Sequence, residues 1–349
     1  MAYTTITDPS AYFQTVLWSG SGSGQAITNG GNSDLQPDWV WIKKRAGGTA
    51  RSHQLYDSSR GVTKLLHSDA ADAEQTQSQG LTAFGSDGFT VGSNDGVDGS
   101  GGTYVAWQWK ANGGTTSSNT DGTITSTVQA DTTAGFSIVQ YVGNGSSGAT
   151  FGHGLGVAPE LVILKNRDTA RSWFVGHLSL GFNYVTHLNQ STASDANSVY
   201  WNNTAPSSTV VTLGNNEGGN ENTNNFVAYC FKQIQGYSSF GSYTGNGNAD
   251  GPFIYTGFKP AWIMWKRTDA ADSWVILDSD RNTFNVMDNY LLPNSNGAEA
   301  SADFLDFTSN GIKIRNTFTS SNNSGSNYIY LAFAENPFVA TNGVPTTAR

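Results

Sequence analysis

The chain has 349 residues, a net charge of −9 and 13% charged side chains, against about 25% in an average soluble protein. Such acidity repels a phosphate backbone and argues against nucleic acid as a partner. One cysteine, Cys230, excludes an intrachain disulfide, and no apolar run approaches the length of a membrane span. Gly, Ser, Thr and Asn take the place of the missing charges. Seven Asn-Gly and five Asp-Gly pairs mark tight turns, because both residues tolerate positive φ. The composition predicts an all-β, turn-rich fold.

The N-terminus, Met1 to Pro9, has no basic start and no apolar run. It predicts no signal peptide, so export is not expected by the general secretion route. Trp18 opens a Gly-rich turn, and Pro37-Asp-Trp-Val-Trp-Ile-Lys follows. Both faces of that strand are apolar: Trp39 and Trp41 on one, Val40 and Ile42 on the other. Strands wet on one side alternate; strands covered on both sides do not. Something must therefore cover the second face, either a neighbouring repeat or another subunit. The strand Tyr104-Val-Ala-Trp-Gln-Trp-Lys closes this unit.

The same two landmarks return twice. Pro159-Glu-Leu-Val-Ile-Leu-Lys precedes Phe226-Val-Ala-Tyr-Cys-Phe-Lys, and Pro260-Ala-Trp-Ile-Met-Trp-Lys precedes Tyr328-Ile-Tyr-Leu-Ala-Phe-Ala. Their separations are 104 − 37 = 67, 226 − 159 = 67 and 328 − 260 = 68 residues. Two apolar motifs held at one spacing three times predict an array of three related units of about a hundred residues. Each reads as a small β-sandwich, jelly-roll-like. The expected boundaries are 1–111, 135–236 and 237–349, with 112–134 as a Ser/Thr/Gly linker in which one short strand, 123–128, is expected. The variable segments 66–86, 178–208 and 279–308 hold most of the charge and Asn. They read as loops, where binding functions concentrate on a rigid scaffold.

Candidate chemistry is sparse. Asp57-Ser58-Ser59-Arg60 and Asp278-Ser279-Asp280-Arg281 sit at matched places, but the second unit has His177-Leu-Ser-Leu there. They read as braced turns rather than hydrolytic machinery. None of His53, His67, His153, His177 and His187 falls in a metal-ligand spacing. Asn94-Asp-Gly-Val-Asp-Gly faintly resembles a calcium loop without its closing Glu. No metal, cofactor or catalytic residue is expected. Carboxylate pairs that a polysaccharide-cleaving enzyme needs do not recur. Among the ten Trp, Trp201 has no counterpart in the other units. With Tyr200 it is the expected exposed contact, since aromatic rings stack on sugar faces. Trp39, Trp41, Trp107, Trp109, Trp262 and Trp265 are expected at oligomer or inter-repeat contacts.

Four of these motifs carry a resemblance. They are Gln36-Pro-Asp-Trp-Val-Trp-Ile-Lys, Tyr104-Val-Ala-Trp-Gln-Trp-Lys-Ala-Asn-Gly-Gly, Gly152-His-Gly-Leu-Gly-Val-Ala-Pro and Tyr328-Ile-Tyr-Leu-Ala-Phe-Ala-Glu-Asn-Pro-Phe. In them the chain resembles tail-fibre-like and virion structural proteins of marine bacteriophages, cyanophages included, over nearly its whole length. The resemblance implies a non-enzymatic protein on the exterior of the particle, contacting other virion proteins and the host envelope with its surface glycans. It transfers no site residue. The first unit begins almost at Met1, so attachment to a virion would use the repeats themselves. The doubly apolar strands predict a homo-oligomer, a trimer favoured. The alternative is a capsid decoration protein or tail adaptor.

Overall fold

The structure is a computed structural model that describes residues 3–339 and Thr346. It is all-β, with antiparallel sheets and, among the described residues, four single α-helical turns of four residues each and one 3-10 turn, Pro9–Ala11. One strand order occurs three times. Phe13–Ser19, Thr103–Trp109, Trp39–Ala46 and Gln54–Asp57 lie side by side in that order. Phe136–Val142, Asn225–Phe231, Leu161–Asn166 and Phe174–His177 follow it too, as do Ser238–Thr244, Asn327–Pro337, Phe258–Arg267 and Val275–Asp278. A smaller outer sheet covers one face of each. In the first unit it is Gln25–Thr28, Gly88–Val91 and Leu81–Gly85. In the second it is Thr150–Gly152 with Val210–Thr212, and in the third a sheet from Phe253–Tyr255 to Met287–Tyr290.

The period-2 geometry of a strand sends successive side chains to opposite faces. Val40 and Ile42 enter the first unit's own core, against Ile27, Leu81 and Phe89 of its outer sheet. Val162 and Leu164 do the same in the second unit, and Ile263 and Trp265 in the third. The opposite faces carry Trp39 and Trp41, Leu161 and Ile163, and Trp262 and Met264, and all enter one shared core. Trp39 stacks on Tyr229 of the second unit at 4.2 Å, and Trp109 meets Trp262 of the third edge-on at 5.7 Å. The second apolar face is thus covered by the other two units of the same chain. These strands give no ground for a second subunit. Trp265 is the exception among the six expected boundary tryptophans: it faces its own unit's core and donates to Ser320 O at 2.8 Å.

The three units close a ring. Glu74 N–H donates to Arg167 O, Ser194 N–H to Thr268 O and Glu299 N–H to Arg45 O, at 2.7, 2.9 and 2.9 Å. The first unit thereby grips the second, the second the third, and the third the first. The matched residues His53, Trp173 and Trp274 go round the ring in the other sense. The His53 Nε2 lies 3.0 Å from Leu292 O. Trp173 and Trp274 donate their indole N–H to His67 O at 2.8 Å and His187 O at 2.9 Å. Segments 66–86, 178–208 and 279–308, expected as loops for outside partners, supply most of these clasps. The expected linker 112–134 is also structured. Ser117–Asn119 and Ser126–Asp131 extend the second unit's sheet, and buried Gln129 bonds Ser58 and Ser59 of the first. The strand expected at 123–128 overlaps Ser126–Asp131, and Ser117–Asn119 is a second that the Ser/Thr/Gly composition hid.

A buried lysine stands in each clasp. Nζ of Lys43, Lys165 and Lys266 donates to one carbonyl of its own unit (Arg51, Asn166, Arg267) and one of a neighbour (Asn296, Ala71, Ser191). Burial pulls their pKa from the usual 10.5 to about 8, 7 and 8, against the opposing pull of Asp69, Asp72 and Asp272. Between these values and about 10.5 the unfolded chain holds protons that the folded chain has shed. Unfolding there takes up protons, so stability rises with pH. Above about pH 10 the trend reverses, because burial raises the buried Tyr141 and Tyr229 well above their usual value and the unfolded chain ionises first. We expect the melting temperature at pH 9 to exceed that at pH 7 by several degrees. Lys165→Met should flatten part of that rise. A flat or falling profile in wild type would count against neutral lysines.

Candidate functional site

Each unit has a helical turn directly before its closing strand: Asp95–Asp98, Glu217–Asn220 and Thr319–Asn322. The residue before the turn stands nine positions ahead of that strand each time: 103 − 94, 225 − 216 and 327 − 318. In the first two units it is Asn. The Asn94 Oδ1 accepts from Gly96 N–H and the Asn216 Oδ1 from Gly218 N–H, both at 2.8 Å. An Asn here satisfies a main-chain donor that the turn leaves open. In the third unit the position is Phe318, and no side chain caps the turn.

A hollow lies beside each turn, and the three differ in chemistry. In the first unit, of about 380 Å³, Arg51 and Lys44 pair with Asp95 at 2.5 and 2.7 Å. In the second, of about 400 Å³, Arg171 pairs with Glu217 and Glu221. The third, of about 340 Å³, replaces Arg51 and Arg171 by Asp272, and Asp95 and Glu217 by Thr319. It has no ion pair across the turn among the described residues. Its wall is aromatic instead. The Phe304 ring meets Tyr290 at 5.2 Å, Phe318 at 5.4 Å and Trp265 at 5.4 Å, all edge-on. Phe318 is 42% exposed, with Asp272, Ser273 and Ser320 on the rim. A missing cap costs about 0.5–2 kcal/mol. A local rule broken without local gain is expected where function is served.

Such a hollow offers ring faces to an apolar C–H surface and carboxylate and hydroxyl groups to its polar edge. Sequence reasoning missed it. The available signal was Phe318 standing nine residues before the landmark strand where the other two units have Asn.

The expected contact at Tyr200 and Trp201 is corrected by the structure. Trp201 is fully buried, edge-on to Phe174 at 6.4 Å and Phe182 at 5.6 Å in the second unit's own core. The Asn197 Oδ1 caps the turn Ser198–Trp201 by accepting from Val199 N–H at 3.1 Å. Tyr200 is half-buried, and its hydroxyl donates to Asp195 Oδ2 at 2.7 Å.

The other candidates are bonded within the fold. Asp57 and Asp278 form buried ion pairs with Arg60 and Arg281. Asp57 Oδ2 also accepts from Tyr229 OH at 2.7 Å, and Asp278 Oδ2 from Trp107 Nε1 at 2.9 Å, each donor in another unit. At the third boundary the matched donor position is Leu331, and the acid is replaced by His177, whose Nε2 lies 3.3 Å from Tyr330 O. Where the second unit lacks the Asp-Ser motif, its neighbour lacks the donor. In the calcium-like loop, Asp98 accepts from Ser21, Gly24 and Gln25. Cys230 is buried in the second unit's core, and burial pushes its thiol up to about 12. Among the described residues no three His, Cys, Asp or Glu side chains are grouped to hold a metal ion, and no helix is long and apolar enough to cross a membrane.

One family model covers all three units and the clasps between them, matching residues 8–337. The chain belongs to the family described as a domain of unknown function, DUF7483. No curated protein and no solved structure matches it. The DUF7483 match runs unbroken from the edge strand of the first unit to the last strand of the third, so it spans the aromatic hollow as well.

Proposed function

We propose that this DUF7483 chain is a bacteriophage virion structural protein, a tail-fibre-like appendage on the particle exterior that contacts the host envelope and its glycans. Its motif-level resemblance to marine phage structural proteins supports the virion setting. The aromatic hollow of the third unit carries the contact. It is the one hollow of the three in which cap and ion pair give way to an exposed ring beside a carboxylate. Sugars present apolar C–H faces to such rings and hydroxyls to such carboxylates.

Phe318→Asn restores the cap of the other two units and removes the ring. It should keep or raise the melting temperature while weakening binding to purified host-envelope polysaccharide at least ten-fold, read by titration calorimetry. Unchanged binding would remove this site.

Burial of nine of the ten tryptophans favours a second reading, a capsid decoration protein or tail adaptor, because few large rings are left for sugars. Immunogold labelling of intact virions separates the two. Gold on the tail or its appendages supports host contact; gold on the head supports decoration.

A further inference from the structure

The geometry points to a strand-addition site on the first unit: an extended peptide arm of a partner protein pairs antiparallel with Phe13–Ser19. That strand is the edge of its sheet, and no described strand lies beyond it. Lys110 N–H donates to Tyr12 O at 3.0 Å and Gly20 N–H to Gly102 O at 2.8 Å. Even-numbered residues therefore face the neighbouring strand, and Phe13, Thr15 and Leu17 turn their main-chain N–H and C=O outward. Such a row is a ready template for another strand.

The second unit shows what fits there. Its matching strand, Phe136–Val142, is paired antiparallel by Ser126–Asp131, from Ser126 opposite Tyr141 to Asp131 opposite Phe136. The first unit has the same edge without the added strand. Beside it runs a groove of about 450 Å³, lined by five consecutive residues, Phe13 to Leu17, with Ala261 and Ser279 of the third unit opposite. The third unit's edge strand, Ser238–Thr244, contributes only Ser242 to any comparable hollow described. The comparison with the second unit sets the occupant. A single extended chain is what the matching edge of the second unit takes, as the strand Ser126–Asp131.

The probe is a fluorescent peptide copying residues 124–132, offered to the full-length protein. Two further versions carry N-methyl groups on alternate residues, one set for each edge of the peptide. The expected result is saturable anisotropy with the plain peptide, at least ten-fold weaker binding for one methylated version and little change for the other. Leu17→Pro removes one outward N–H at an edge position where proline is tolerated. It should abolish binding without shifting the melting temperature. No saturable binding, equal binding by both methylated versions, or full binding to Leu17→Pro would overturn the proposal. So would a concentration-dependent dimer in sedimentation that Leu17→Pro abolishes, since the occupant would then be a second copy.

Discussion

Trp39→Ala is expected to lower stability by about 3–5 kcal/mol, the usual cost of emptying a buried tryptophan site. It should do so for the whole chain in one transition. Trp39 lies against Trp41 and Trp109 of its own unit and against Phe136, Tyr229 and Phe231 of the second, with centroids 4.2 to 6.1 Å away. The space left cannot collapse without moving two sheets. Because the core it vacates is shared, no unit can melt while its neighbours keep their packing. Scanning calorimetry should show a single endotherm in wild type and variant, shifted down by several degrees in the variant. Separate endotherms would mean that the shared core contributes less than each unit's own core.

Asp57→Ala is the second large effect, again about 3–5 kcal/mol, because it removes one member of a buried ion pair. Asp57 accepts from Arg60 Nε, from Arg60 N–H at 2.8 Å and from Tyr229 OH at 2.7 Å. Its loss strands a guanidinium of which no side-chain surface is exposed, held then by Glu74 at 3.1 Å and Leu55 O at 3.1 Å. Asp95→Ala is the contrast. Its carboxylate is 38% exposed and pairs with exposed Arg51 as well as with buried Lys44, and an exposed pair contributes about 0–1 kcal/mol. Urea titrations of the two variants should differ several-fold in lost stability. Equal losses would show that the Asp57 bond across the boundary adds nothing beyond a surface pair.

Much of this fold was legible because strand periodicity is a local property. Trp39 to Ile42 announce a strand covered on both faces from four adjacent letters. What covers the second face is a matter of distant residues, and the alternation cannot tell Tyr229 of the same chain from a tyrosine of another. Trp201 was misread for a related reason. A lone apolar turn in an Asn-rich stretch looks exposed until Phe174 and Phe182 are brought beside it by pairing. The Asp-Ser motif was read as bracing, and its absence at His177 had no explanation until Leu331 was placed opposite. Phe318 escaped notice because its meaning lies in a comparison with Asn94 and Asn216, not in its own neighbours.

The ring closes within one polypeptide, and that changes what substitution can do. In a symmetric assembly of identical subunits every replacement appears at all copies of a contact at once. Here Asp57 with Tyr229, Asp278 with Trp107 and His177 with Tyr330 have each settled on a different pairing. Each boundary is a separate lock, so the units cannot trade places. One hollow is then able to surrender its cap for an exposed phenyl ring while the other two keep theirs and carry the stability. Asymmetry of this kind lets a threefold frame present a single face to the outside.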